Sequence, residues 1–331
     1  MALLRAEIQI YIYSGTSGSY DATNDLRYTI QKEKLSSEDN VVFEIGELVR
    51  DYITHSFNND YTSTTKWVTV ISDLIDSETN LTFSSGGTTT QNFLAFDGYG
   101  YFEDAINPQN NLNCLLTTDN IYLPDDTAGK IPIFAEGVGK YVIGSTTTQV
   151  TDSGNSNQKI QYITVPANTT DDVVIYGTDD TTVVKTITVN NVCEPKFTPL
   201  KITFVNKHGA YQDLWVFKKS VETFDVSDER YKVNTVNEST ITYNTYEGQE
   251  QRYNTNAKSN LKVNTGFIVE NFTSAIEELF LSENVYIRMD SKTLPVIVKS
   301  KSFVQKTTLN DRLINYTIDI EFAFNKINNV R

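Results

Sequence analysis

The chain has only two histidines, His55 and His208. A three-histidine zinc site therefore cannot be built within it, and a Ser-His-Asp arrangement would have to use one of these two. His55 ends a helical pattern, where a cation suits the helix dipole. His208 falls in a hairpin turn, so both read as structural. Paired acids stand at Asp125-Asp126, Asp171-Asp172 and Asp179-Asp180. A glycosidase needs two carboxylates about 5–9 Å apart, but among 42 acidic residues some such pair is inevitable. No Asp-x-Asn/Asp-x-Asn/Asp-Gly spacing makes a calcium loop, and these pairs read as solvated turns. Gly98-Tyr-Gly100 and Gly137-Val-Gly139-Lys140 lack the remaining positions of a dinucleotide or phosphate-binding loop. No Gly-x-Ser-x-Gly elbow occurs. The expectation is no enzyme, no catalytic, cofactor-binding or metal residues, and no cofactor.

The most unusual local string is Phe96-Asp-Gly-Tyr-Gly-Tyr-Phe-Glu-Asp104. Its tyrosines supply rigid amphipathic area for stacking on a sugar or docking a protein. An aromatic turn covering a sheet end explains it equally, and whether Tyr99 and Tyr101 contact a glycan stays open. Cys114 and Cys193 lie far apart in different contexts and read as two reduced, buried thiols. Five Asn-x-Ser/Thr triplets (Asn80, Asn168, Asn237, Asn271, Asn315) are compositional in a chain this rich in Asn and Thr.

These residues must be positioned mostly by strands. Ile8, Ile10 and Ile12 alternate with Gln9, Tyr11 and Tyr13, the period of a half-buried strand. Arg27–Glu33 returns it. In Phe43–Ile53 the period changes, and Leu48, Val49, Tyr52 and Ile53 predict a short amphipathic helix. Lys66–Ile71 and Phe93–Phe96 are further strands. Gly144–Gln158 reads as a linker, followed by short strands at 160–165, 172–176 and 182–189. Three strands separated by turn residues suggest a small antiparallel module that projects from the body. Cys193-Glu-Pro-Lys-Phe-Thr-Pro199 closes it, because two prolines cannot sit in one ladder.

Beyond it, Leu200, Ile202 and Phe204 alternate, Asn206–Gly209 turns the chain, and 214–218 and 240–246 read as strands. Phe272, Ile276, Leu279 and Phe280 predict a helix over Asn271–Ser282, with Asn271 or Ser274 as N-cap and Glu277 completing a capping box on Ser274. Strands follow at 285–289, 295–304 and 313–324. In the last, Ile314, Tyr316, Ile318, Ile320, Phe322 and Phe324 would share one face. The expected fold is mainly β: β-sandwich or β-barrel units in three domains, 1–140, 141–198 and 199–331, with one short helix in each large half. Both halves run two strands, a helix, then strands, an order that duplication and coincidence explain equally.

Length and charge bound the rest. The chain has 331 residues, 39% apolar residues and a net charge of −14, enough to bury cores and too acidic to bind nucleic acid through phosphate neutralisation. An acidic channel would still let DNA pass without sticking. No apolar run approaches the 18 or more residues of a membrane span. The start, from Met1, is too short for a signal-peptide core.

Several strings are familiar together: Val41–Ile53, Phe96–Asp104, Cys193–Pro199, Ile202–Gly209 with Trp215–Lys219, and Asn315–Ala323. They resemble uncharacterised virion proteins of tailed bacteriophages, particularly those of Bacteroidota and marine hosts. The resemblance implies a structural virion protein assembled in the bacterial host cytoplasm, a tail or baseplate component (ring, hub or tube-associated) that forms homo-oligomers and meets other tail or baseplate proteins. It implies no site residues. A receptor-binding or glycan-binding phage protein and a jelly-roll capsid protein are the alternatives.

Overall fold

The computed structural model describes all residues except 1–2, 36–39, 77–78, 84–86, 106–111, 195, 301, 303–312 and 328–331. The sequence readings at Met1, at Pro195 and at 303–304 lie outside the described residues. The protein is mainly β, arranged in several sheets.

The N-terminal sheet contains β1 (Leu3–Tyr13), β2 (Leu26–Glu33), β3 (Lys66–Asp76) and β4 (Thr88–Ala95), ordered β2-β1-β3-β4 and antiparallel throughout. Helix α1 (Gly46–Arg50) follows the first hairpin. Ile8, Ile10 and Ile12 pack with Val49 and Val68 on one face. Tyr11 and Tyr13 on the other face are buried as well, so β1 is covered on both sides, not half-buried. The expected helix over 43–53 shrinks to five residues. Its N-cap, Ile45, makes no side-chain hydrogen bond, and Gly46 opens it; uncapped, Gly-initiated turns are poor helix nuclei. Phe43 and Ile45 still reach the core, from outside the helix.

The central unit has seven strands: β5 (Asn120–Pro124), β6 (Gly129–Phe134), β7 (Lys140–Ile143), β8 (Thr146–Gln149), β9 (Ile160–Val165), β10 (Val173–Tyr176) and β11 (Val183–Val192). Five form a sheet ordered β5-β11-β10-β7-β8, and β6 pairs with β9. Ile131, Ile133, Ile163 and Val165 from the pair meet Val173, Ile175, Ile187 and Val189 from the sheet in one core. A boundary at 140/141 would cut through β7 and part β9 and β11 from β6 and β5, so strand pairing divides the chain near Cys114 instead. The unit is not a purely antiparallel trio either, since β11 runs parallel to β5.

Nor does this unit project. The expected linker holds β8 and then docks on the N-terminal half. Asn157 is buried; its Nδ2 donates to the Thr65 carbonyl at 2.6 Å, and its Oδ1 accepts from Gly15 N–H at 2.9 Å. Fully buried Lys159 forms ion pairs with Asp152 and Glu136.

The C-terminal half contains β12 (Leu200–Val205), β13 (Tyr211–Val216), β14 (Val221–Lys232), β15 (Val236–Asn237), β16 (Thr242–Tyr243), β17 (Glu250–Asn264), β18 (Ile268–Val269), α2 (Thr273–Leu281), β19 (Val285–Met289), β20 (Lys292–Val298), β21 (Leu313–Ile314) and β22 (Thr317–Asn325). Its main sheet is ordered β13-β12-β19-β20-β22-β17-β14. The first four strands repeat the N-terminal connectivity: an opening hairpin, a helix, a strand returning beside the first, and a hairpin outward. Both helices pack on their own sheet, α2 through Phe272, Ile276 and Leu279. The similar order of the halves is therefore a shared topology.

Four details differ from the sequence reading. The strand expected over 240–246 shrinks to the two residues of β16, with turns on either side. The capping box is absent: Phe272 is the N-cap, a 3₁₀ turn at Glu270–Phe272 leads in, and the Ser274 hydroxyl donates back to the Asn271 carbonyl. The last strand breaks at 315–316, and Phe324 is exposed where the sheet outruns its helix. The longest strands, β14 and β17, were not anticipated. They form one hairpin from Val221↔Lys262 to Lys232↔Glu250. β14 is exposed along nearly its whole length and β17 over its first five residues, so most of the arm shows no buried face. Only from Ala257 does β17 alternate, with Leu261 and Val263 in the core.

Ile318 is fully buried under α2, whereas Asp319 on the opposite face pairs with exposed Lys262 at 3.3 Å. Ile318→Ala should cost about 2–5 kcal/mol in urea unfolding, and Asp319→Ala no more than about 0.5 kcal/mol. The reverse ranking would mean that the register of β22 is inverted.

Candidate functional site

The aromatic string and both histidines converge where the two halves meet. After β4 the chain turns at Asp97-Gly98 and lies against the Asn206–Gly209 turn between β12 and β13. Tyr99 N–H donates to the Lys207 carbonyl at 2.8 Å. A Cβ on Gly98 would stand 2.9 Å from that same carbonyl oxygen. One on Gly209, at φ +74°, would stand 2.9 Å from the Asp97 backbone. Only glycine permits both the left-handed turn and so close an approach of two backbones.

Asp97 is the electrostatic centre of this contact. Its carboxylate lies 2.7 Å from His55 Nε2 and 2.9 Å from Arg50 Nε, and Arg50 Nη2 reaches Glu283 at 3.1 Å. The end of α1 is thus tied through Arg50 to Asp97 after β4 and to Glu283 after α2. Burial opposes the charge on Asp97, but the hydrogen bonds from His55 and Arg50 outweigh it and hold the carboxyl below its ordinary pKa. His55 is buried, and its Nδ1 has no hydrogen-bond partner among the described residues. The pair lacks the geometry of a charge-oriented base facing a nucleophile.

Beside this cluster lies an open cavity of about 290 Å³ lined by Arg50, Asp97, Gly98, Tyr99, Tyr101, Leu281 and Glu283. The rings of Tyr99 and Tyr101 stand edge to face with centroids 6.0 Å apart, and Lys207 Nζ lies 5.5 Å over Tyr101. Burial raises the Tyr99 phenol, with Tyr101 and nearby Glu278 adding to the effect. Behind it, Glu278 on α2 is 1% exposed and accepts hydrogen bonds from the Thr117 hydroxyl and Lys207 N–H. Burial raises its pKa despite both bonds. His208 is pushed down to about 4, chiefly by burial and then by Lys207 and Lys185.

A second polar cluster was invisible in sequence. Lys201 Nζ lies 2.6 Å from Asn59 Oδ1, 2.7 Å from Tyr61 Oη and 3.7 Å from Asp213. Tyr61 and Thr203 hydroxyls both donate to Asp213. Burial lowers the Lys201 pKa and raises that of Tyr61. Each group is satisfied by another, so the cluster fastens the segment after α1 to β12 and β13. Neither Glu278 nor Lys201 could be found by pattern, since each is a charged side chain buried by a different part of the chain.

The acidic pairs sit in turns. Asp179 caps its own loop, accepting from the Thr182 hydroxyl and from Thr182 and Thr181 N–H, which lowers its pKa. Asp126 exchanges hydrogen bonds with Asn168, and Asp171 and Asp172 are exposed. Cys114 is buried, and burial raises its thiol to about 11; Cys193 is exposed, because the chain leaves β11 there for the surface. Among the described residues no group of three or more His, Cys, Asp or Glu side chains is placed to hold a metal ion. None of the described helices is long and apolar enough to cross a membrane.

His208 yields a pH test. Its folded pKa lies below the ordinary value near 6.5, so the unfolded chain binds the proton first and stability falls as pH drops from about 6.5 to about 4. The loss attributable to this ring is on the order of 3 kcal/mol. In thermal melts at pH 7.5 and 5, His208→Gln should flatten this part of the slope. An unchanged slope would place the acid sensitivity elsewhere. No family model, no curated protein and no solved structure matches the chain.

Proposed function

We propose that this protein is a structural component of a tailed-bacteriophage virion, in the tail or baseplate, that assembles with copies of itself and with neighbouring tail proteins. The observation that carries this reading is the β14–β17 arm. A two-stranded ribbon has no core of its own, yet this one holds Phe224, Val226, Tyr231, Ile241, Tyr243 and Tyr246 in solvent, Ile241 and Tyr246 at 82% exposure. So much unburied apolar surface on a projecting element marks an interaction site. Its backbone is held together: the register shifts between Ser227 and Glu229, and there Asp228 ties Arg230 to Arg252 across the two strands at 3.1 and 3.0 Å. The resemblance of several strings to virion proteins of tailed phages suggests the setting.

One observation favours a second reading, glycan binding. The cavity beside Asp97 combines two tyrosine rings with an arginine and two carboxylates, the mix of stacking faces and planar hydrogen-bonding groups that suits a sugar ring.

Joining Ser227 to Asn256 through a two-residue turn removes the arm while keeping the register that pairs them. The shortened protein should stay folded, with its melting temperature within about 5 °C, and should fail to form higher assemblies in negative-stain images. Assemblies indistinguishable from those of the full chain would reject the arm as the assembly element. Chemical-shift changes at Tyr99 and Tyr101 on titration with host-surface glycan would support the second reading.

A further inference from the structure

We infer that β4 is a docking edge for a second copy of this chain, which adds its own β4 antiparallel about a two-fold axis and joins the two N-terminal sheets into one of eight strands. The inference rests on the assembly reading and names the partner and the strand.

Strands that end a sheet expose unpaired backbone groups and are guarded by charge, shortness or cover. Edge strand β2 carries Arg27, Lys32 and Glu33, and β14 carries charges along its whole length. Edge strand β8 has only four residues. By contrast β4, Thr-Thr-Thr-Gln-Asn-Phe-Leu-Ala, has eight residues, no charge and no proline, and its first six residues are exposed. Phe93, 46% exposed, lies at its rim.

The shared topology shows what such an edge accommodates. In the C-terminal half the strand equivalent to β4 is β20, and its outer side carries β22 in antiparallel pairing, Val296↔Phe322 to Val298↔Ile320. In the N-terminal half no strand among the described residues takes that place.

Charge then selects the occupant. Two copies each bearing −14 repel, and a two-fold interface sets one residue opposite its own copy, so a charge near the axis always meets its like. A strand without charge over eight residues escapes this penalty, and Gln91 or Asn92 at its centre presents a polar, neutral side chain to itself. Asn92 is already oriented, its Oδ1 accepting from the Thr69 hydroxyl at 2.6 Å. The bond helps fix the edge before a partner arrives.

The test is sedimentation velocity over a concentration series on the full chain and on Gln91→Lys and Gln91→Glu, exposed-site changes that should leave the melting temperature unaltered. The unaltered chain should dimerise, and each variant alone should do so about tenfold more weakly. An equimolar mixture of the two variants should recover the affinity, since opposite charges then face each other at the axis. A dimer of undiminished affinity in both single variants overturns the β4 assignment and leaves the assembly reading standing. A mixture no tighter than its components overturns the two-fold pairing. An unaltered chain that stays monomeric at every concentration and in assembled particles overturns both readings.

Discussion

The arrangement of the halves depends on two turns pressed together backbone to backbone. Gly98 and Gly209 remove the side chains that would hold Asp97 and Lys207 apart, and Asp97 then gathers His55 and Arg50 into one ion-paired knot. Such a contact has little tolerance. A methyl group at either glycine meets carbonyl or main-chain atoms, and loss of the Asp97 carboxylate would leave a buried imidazole without a partner on either nitrogen, a costly state for a polar group out of water. The central unit is drawn into the same junction: Leu115 and Ile160 pack with Ala210, and Tyr162 Oη accepts from Tyr211 N–H at 2.9 Å. A chain that reads as three domains is therefore held through shared interior contacts.

Around that junction the molecule uses one plan twice. A hairpin, a helix lying on its sheet and a second hairpin give the order β2-β1-β3-β4 in one half and β13-β12-β19-β20 in the other. The copies diverge in how much they cover. Helix α2 has nine residues and buries Ala275, Ile276 and Leu279 completely, and its sheet extends by three more strands. Helix α1 has five, and its sheet stops at β4. The larger C-terminal core carries the arm, and among the described residues the smaller N-terminal sheet ends at β4.

Charge distribution separates these two surfaces. The arm carries acids and bases close together, with Asp228 between two arginines, beside its exposed tyrosines. β4 carries none. On a chain with net charge −14, a neutral strip is the least repulsive place for a like copy to approach, whereas a mixed-charge arm suits a different surface.

Much of the β framework was legible because burial on one face imposes period two: Ile8, Ile10 and Ile12, then Ile160–Val165, then Ile202 and Phe204 announced their strands. The stripe Phe272, Ile276, Leu279 announced α2 for the same reason. The aromatic string and the two histidines stood out by type. Tertiary structure alone decided the rest. Strand β14 and the first part of β17 are wet on both faces, so no periodicity marks them, and their mutual pairing makes them strands. Only the end of β17, with Leu261 and Val263, enters the core beside β22. The central unit begins near Cys114 because β5 and β6 find partners much later in the chain, Asn120 opposite Thr188 and Gly129 opposite Val165, a pairing composition cannot express. Glu278, Lys201 and Lys159 look like surface residues in sequence, and they are buried because distant hydroxyls, amides and carboxylates arrive to satisfy them. His55 and Asp97 lie 42 residues apart. They become one site only when the two glycine turns close.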